Sequence, residues 1–254
     1  ISAALTIAYL LFSQPETNAI YNYDGVYQKI TIYDSSYKGR PVRFFQQDRS
    51  ASGAMFLNSD ELVYDYTKYY ALYEIFKPEI KEVLTLGGAS YSIPKALYND
   101  LPNPNIDVAE IEPSFFKLGK KYFKVPNSPR FKNYTGDGRR FLYETDKKYD
   151  LIFSDVYFSL FSVPTHFTTE EFFRIAKEKL SADGVFIGNF IGDLLPQPPS
   201  FIFSEIKTFK SVFPNSYYFA VNSPDSLDSQ NIIFVGYNSD KKINFNGPEI
   251  KKKR

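Results

Sequence analysis

The chain has 254 residues, enough for one sizeable core with a small appended unit rather than two full domains. Lys plus Arg (30) balance Asp plus Glu (29), so no global field draws a polyanion, and nucleic acid is not an expected partner. The absence of cysteine and the single histidine, His166, remove disulfides, thiolate nucleophiles and multi-histidine metal sites, so no metal is expected and the chemistry falls to carboxylates, tyrosines, amides and lysines.

The amino end, "ISAALTIAYLLF" (Ile1 to Phe12), is apolar over twelve residues, whereas about 20 are needed to cross a bilayer. Because the chain opens on Ile rather than Met, residues 1–18 read either as the last turns of a membrane helix, tethering a cytoplasmic domain, or as a packing helix. "YQKITIYDSSYKGRPVRFFQQD" (Tyr27 to Asp48) alternates apolar and polar residues about a Lys38–Gly39 turn, the pattern of a β-hairpin, and a further short strand is expected near Ala54 to Leu57. A small antiparallel unit over 19–58 follows from these. "SDELVYDYTKYYALYEIF" (Ser59 to Phe76) opens on helix-capping residues and predicts a long amphipathic helix.

From Lys81 the rhythm changes to strand and helix in alternation. Apolar strands are expected at "EVLTLGG" (Glu82 to Gly88), "IDVAEIEP" (Ile106 to Pro113), "YDLIFSD" (Tyr149 to Asp155), "GVFIGNF" (Gly184 to Phe190) and "NIIFVGY" (Asn231 to Tyr237). Helices are expected over Ser92–Asp100, Ser114–Phe123, Thr168–Leu180 and Phe201–Phe213. This alternation predicts a parallel sheet covered by helices over 59–240, ahead of a basic tail at 241–254 that ends in "KKKR".

Ligands of such sheets bind outside the carboxyl ends of the strands. Gly87 and Gly88 end the first core strand, where missing Cβ atoms let a ligand approach the backbone. Glu110 ends the next strand and suits the two hydroxyls of a ribose. Asp137, between Gly136 and Gly138, can accept from an adenine amino group, and Asp155 ends the fourth strand. "LGG", an acid, "GDG" and a further acid in this order form the layout of a class I S-adenosylmethionine-dependent methyltransferase-like Rossmann fold. A dinucleotide-binding domain would need G-x-G-x-x-G, and this chain has "GGASYS".

Over roughly residues 24 to 237 the chain resembles the spermidine synthase (polyamine aminopropyltransferase) family. The resemblance is carried by "YQKITIYDS", "DELVYDY", "LGG", "AEIEP", "GDGRRFL", "YDLIFSD" and "PTHFTTEEFF". It is strongest in look to the bacterial spermidine-synthase-like domains that are fused to membrane helices. The resemblance implies S-adenosylmethionine or its decarboxylated form as co-substrate, a small amine as acceptor and, from the family's tendency to dimerise, a homodimer. It places Gln28, Gly87, Gly88, Ser90, Glu110, Ile111, Asp137 and Gly138 on the co-substrate. Asp155 would hold or deprotonate the amine, with Tyr64 facing it across the cleft.

Departures from the family pattern fall on the amine side. Phe158 stands where a second acid would be, Ser90 replaces the acid that grips the amine of the decarboxylated donor, and "PDSLDSQN" (Pro224 to Asn231) replaces a tyrosine-bearing segment. A diamine's far ammonium buried against Phe158 would lose about 2 kcal/mol or more, so the expected acceptor is not a long diamine. Methyl transfer, cleavage of S-adenosylmethionine, and a non-catalytic nucleoside-binding regulatory domain are the alternatives. His166 is expected to order a helix entry. Asp65, Glu112 and Lys95 are expected at solvent-facing positions, and Tyr157, Phe158 and Phe161 either in the core or around the pocket.

Overall fold

The computed structural model describes residues 19–158 and 162–246. The expectations for the 1–18 segment, for Phe161 and for the end of the basic tail lie outside these residues. Among the described residues, no helix is long and apolar enough to cross a membrane.

Four strands open the described chain: β1 (Ala19–Asp24), β2 (Lys29–Tyr37), β3 (Arg40–Gln47) and β4 (Ser50–Phe56), paired antiparallel in that order. The β2–β3 turn uses Lys38 and Gly39, both at positive φ (50° and 76°), which suits a two-residue hairpin. The unit is not energetically separate. Ile30, Ile32, Phe45 and Met55 belong to the same core cluster as Val83 and Val108 of the main sheet, and the Phe45 ring lies 4.8 Å from that of Phe115.

The expected helix over Ser59–Phe76 forms only in its second half. A 3-10 segment over Asp65–Leu72 continues as α1 (Tyr73–Phe76). Before it, Leu62 makes a bridge to Met55, and Leu62 and Val63 are buried, so the chain stays extended through Tyr64 (φ −91°, ψ 135°). Ser59 accepts from the Glu61 N–H at 3.0 Å, a local turn in place of a helix cap. Burial of two adjacent apolar residues against β4 outweighs the helical pattern of the segment.

The rest alternates strand and helix: β5 (Glu82–Leu86), α2 (Ser92–Asp100), β6 (Asn105–Glu110), α3 (Phe115–Tyr122), β7 (Phe131–Thr135), α4 (Gly138–Glu144), β8 (Tyr149–Ser154), α5 (Glu170–Lys179), β9 (Leu180–Gly192), α6 (Phe201–Val212), β10 (Ser216–Ala220) and β11 (Gln230–Tyr237), of which β7, α4 and β10 were not among the expected elements. The sheet order is β10-β11-β9-β8-β5-β6-β7. Strands β5 to β9 run parallel, whereas β11 is antiparallel to β9 and β10 to β11, a departure from an all-parallel sheet.

Alternate residues of each inner strand serve two cores. Val83, Val108, Phe153 and Ile187 face the side of α2 and α3. Leu84, Ile152, Phe186 and Phe234 face Leu142, Phe172 and Phe209 of α4, α5 and α6. Burial on both faces explains why these strands read as unbroken apolar runs. The side chains of Asp137, Thr169 and Ser200 cap α4, α5 and α6. Chain order reverses at β5, whose neighbours are β6 on one side and β8 on the other, and the ends of these three strands carry Gly87, Glu110 and Asp155.

Candidate active site

A cavity of about 850 Å³ opens at this reversal point, within the size range of small-molecule sites. Gln28, Gly87, Gly88, Glu110, Ile111, Asp137, Gly138 and Asp155 all line it, so eight of the ten expected site residues converge. Ser90 and Tyr64 do not. They border a recess of about 40 Å³ that adjoins the cavity behind Asp155. Ser90 is buried, shares a hydrogen bond of 2.7 Å with Ser92, and packs beneath Gly53. Its hydroxyl is thereby turned toward the N-terminal sheet and away from the cavity.

Asp155 follows β8 and is partly buried at the junction of cavity and recess. Tyr66 donates to its Oδ2 at 3.2 Å and Asn189 to its Oδ1 at 2.8 Å. Removal from bulk water pushes the carboxyl above its ordinary pKa, and the bonds from Asn189 and Tyr66 oppose that rise. Burial, then the carboxylate itself, pushes the Tyr66 phenol well up, so it stays a neutral donor. Gly87, at φ 86°, lies so close that a Cβ would meet the Asp155 carbonyl at 2.4 Å. The close approach of these two strand ends therefore requires glycine.

The expected partner across the cleft was Tyr64, and the structure corrects this to Tyr66. The Tyr64 hydroxyl donates instead to the Ala51 carbonyl at 3.2 Å, and its ring stacks on Tyr66 with centroids 6.2 Å apart. The error follows from the helix expected through both tyrosines. The chain is extended up to Tyr64 and turns there, which sends Tyr66 into the cleft. Asn189 was not singled out in the sequence; the signal that could have found it is an amide inside the apolar run "GVFIGNF", a buried polar group that needs a partner.

The side of the cavity around Glu110 and Asp137 is built differently. Glu110 is 5% exposed, and its carboxylate accepts from the backbone N–H groups of Gly88 (2.7 Å), Ala89 (3.3 Å) and Glu112 (2.8 Å). Burial raises its pKa against those bonds. A carboxylate offers about four acceptor sites, so roughly one remains for a ligand hydroxyl while the glycine loop is held. Asp137 caps α4 through Arg140 N–H (2.8 Å) and meets His166 Nε2 at 2.8 Å. His166 thus ties the turn before α5 to the cap of α4 at the cavity wall. Ile111 is exposed at the cavity wall, an apolar face beside Glu110.

Gln28 donates to the Phe158 carbonyl at 3.1 Å, tying the N-terminal sheet to the segment after Asp155. Phe158 is 63% exposed at the cavity rim. An ammonium beside it would keep water, so the expected desolvation cost there is reduced; what is missing is the attraction of a second acid. Two other expectations change. Glu112 is buried, receiving Tyr27 N–H (3.1 Å) and the Ser114 hydroxyl (2.9 Å). Lys95 is buried too, donating to the Phe123 carbonyl at 3.1 Å, with burial lowering its pKa. Both hold the α2, α3 and N-terminal-sheet junction together, while Asp65 is exposed between Lys38 and Lys68.

The fold and this arrangement of acids can be compared with known proteins. The family model described as "Spermine/spermidine synthase domain" matches residues 71–246. The chain belongs to that family. Among its relatives is a polyamine aminopropyltransferase of Vibrio vulnificus, 29% identical over 150 residues, which cover 58% of this chain and 48% of the relative. Another, from Agathobacter rectalis, is 27% identical over 165 residues, covering 63% and 55%. The chain spans about half the length of these curated relatives. The crystal structure of a probable spermidine synthase from Corynebacterium glutamicum matches with a TM-score of 0.78 at 20% identity, covering 91% of this chain and 84% of that one. At that identity the likeness shows the fold, a Rossmann-like domain with an N-terminal antiparallel sheet.

Proposed function

We propose that the protein is a transferase that moves an aminopropyl or related alkyl group from decarboxylated S-adenosylmethionine, or from S-adenosylmethionine, to a small amine. Family membership supports the coarse reading, and Asp155 carries the finer one. It is a carboxylate of raised proton affinity, oriented by two hydrogen bonds, at the point where cavity and recess meet.

The chemistry needs such a group. The amine nitrogen's lone pair forms a bond to the methylene beside the sulfonium, the carbon–sulfur bond breaks, and its electron pair returns to sulfur as the neutral thioether methylthioadenosine. An ammonium has no free lone pair, so the acceptor must surrender a proton, and the buried, hydrogen-bonded Asp155 carboxylate supports its being the group that takes it. On the nucleoside side, Glu110 offers its remaining acceptor site to a ribose hydroxyl, Ile111 offers an apolar face to the base, and Gln28 closes the wall beside Phe158. Phe158 brings no charge where the acceptor's second ammonium would want one, which favours a small monoamine over a long diamine, and Ser90 brings none for the amine of a decarboxylated donor.

Calorimetry with methylthioadenosine, S-adenosylmethionine and the decarboxylated donor, followed by product analysis with small amines, tests the reading. Methylthioadenosine accumulation is the expected result. Adenosylhomocysteine as product would mean methyl transfer, and no binding of any of the three would overturn the proposal.

A further inference from the structure

Asp155 is the visible end of a longer chain of hydrogen bonds. Asn189 on β9 donates through Nδ2 to Asp155 Oδ1 at 2.8 Å, and Asn231 on β11 donates through Nδ2 to Asn189 Oδ1 at 2.9 Å. In the antiparallel pairing Ile233 stands opposite Asn189 and Asn231 opposite Ile191, so the two asparagines are diagonal neighbours on one face of the sheet. The direction of the chain is dictated by chemistry. An anionic carboxylate only accepts, so Asn189 must show it the NH2 group and turn its carbonyl oxygen the other way. That oxygen is buried with its residue, which is 4% exposed, and requires a donor in turn. The Asn231 amide supplies one, and Asn231 also borders the cavity.

We propose that Asn231 is a positioning residue for the transfer: it fixes the side-chain orientation of Asn189 and thereby keeps Asp155 ionised and aimed at the acceptor amine. The proposal rests on the transferase reading above. Its physical content is a relay of orientation rather than of protons, since neither amide titrates. The titratable groups that face Asp155 are Tyr66, from the 3-10 segment, and Tyr157, from its own loop, whose hydroxyl donates to the Asn189 backbone carbonyl at 3.2 Å. Burial keeps both phenols neutral. None of the salt bridges among the described residues involves Asp155. Orientation of neutral dipoles is therefore the lever by which this site can hold a negative charge.

Two variants separate positioning from mere packing. Asn231→Ala removes the donor and leaves Asn189 free to rotate. Asn231→Asp keeps the shape but can only accept when ionised, so it draws the Asn189 NH2 toward itself and turns the carbonyl oxygen onto Asp155. Carbon-13 NMR titration of the Asp155 carboxyl reads the effect without substrate. The expected result is an upward shift of about half to one unit for Asn231→Ala and a larger one for Asn231→Asp. With donor and amine present, the acidic limb of the kcat/KM profile should move to higher pH in step, with methylthioadenosine affinity within about twofold of the parent protein. A lowered Tm with an unmoved Asp155 titration would assign Asn231 a packing role and overturn the proposal. Equal shifts in the two variants would overturn the orientation argument. If the parent protein binds no donor or turns over no amine, the transferase reading fails, while the NMR shifts still decide whether Asn231 governs Asp155.

Discussion

Glu205, on α6, is 6% exposed, and its Oε2 has no hydrogen-bond partner among the described residues. Burial pushes its carboxyl up from 4.5 to about 7. The folded state therefore binds this proton more tightly than the unfolded state does. Stability from this group is fully present below pH 4.5, declines as the pH rises, and is lost above about 7. The shift corresponds to about 3 kcal/mol, and to about 2 kcal/mol once screening by solvent near the helix surface is allowed for. Glu205→Gln keeps the size and polarity of the protonated acid but cannot ionise. Urea unfolding should find the two proteins within about 0.5 kcal/mol of each other at pH 4.5. At pH 8 the variant should be more stable by about 2 kcal/mol, or about 4–8 °C in Tm for a protein of this size. A constant difference across the pH range, or a less stable variant at pH 8, would refute the reasoning, because it would mean that the carboxylate has a partner or reaches water in the fold.

Three further outcomes follow from the site. Asp155→Asn should lower amine transfer by at least about 100-fold while calorimetry still shows methylthioadenosine binding; retained turnover would remove Asp155 from the chemistry. Tyr66→Phe takes away a donor to the Asp155 anion, so the Asp155 carboxyl should titrate at higher pH by NMR. Tyr64→Phe should leave that titration in place, and the reverse pattern would restore Tyr64 to the cleft. Gly87→Ala forces a Cβ against the Asp155 carbonyl at a positive φ. It should cost about 2–4 kcal/mol in urea unfolding, and a neutral effect would show that the two strand ends can separate.

The inner strands and most of the helices were legible in the sequence because their cause is local. Strands buried on both faces are apolar throughout, and helices carry caps such as Thr169 and Ser200. Strand β7 was not legible, since only Phe131 in "FKNYT" is buried and the others gain their place by pairing with β6. The antiparallel direction of β11 left no mark either, because a strand buried on both faces has the same composition whichever way it runs. The residues that line the cavity could be picked out along the chain because glycines and acids at strand ends keep a fixed order.

What the sequence determined by itself is the family, the Rossmann-like sheet and the glycines and acids at the strand ends that line the cavity, all of which depend on residue type at set positions along one strand and the turn after it. Tertiary structure alone decided the surroundings of Asp155. Whether Tyr64 or Tyr66 meets Asp155 turned on the extended path that Leu62 and Val63 take to be buried. Glu112 and Lys95 became interior groups through the docking of the N-terminal sheet. The Asn231–Asn189–Asp155 chain joins two strand residues and one just past the end of a third strand, 42 and 34 positions apart in turn. Contacts of that separation are created by sheet register, a property of the folded backbone that no short stretch of sequence encodes.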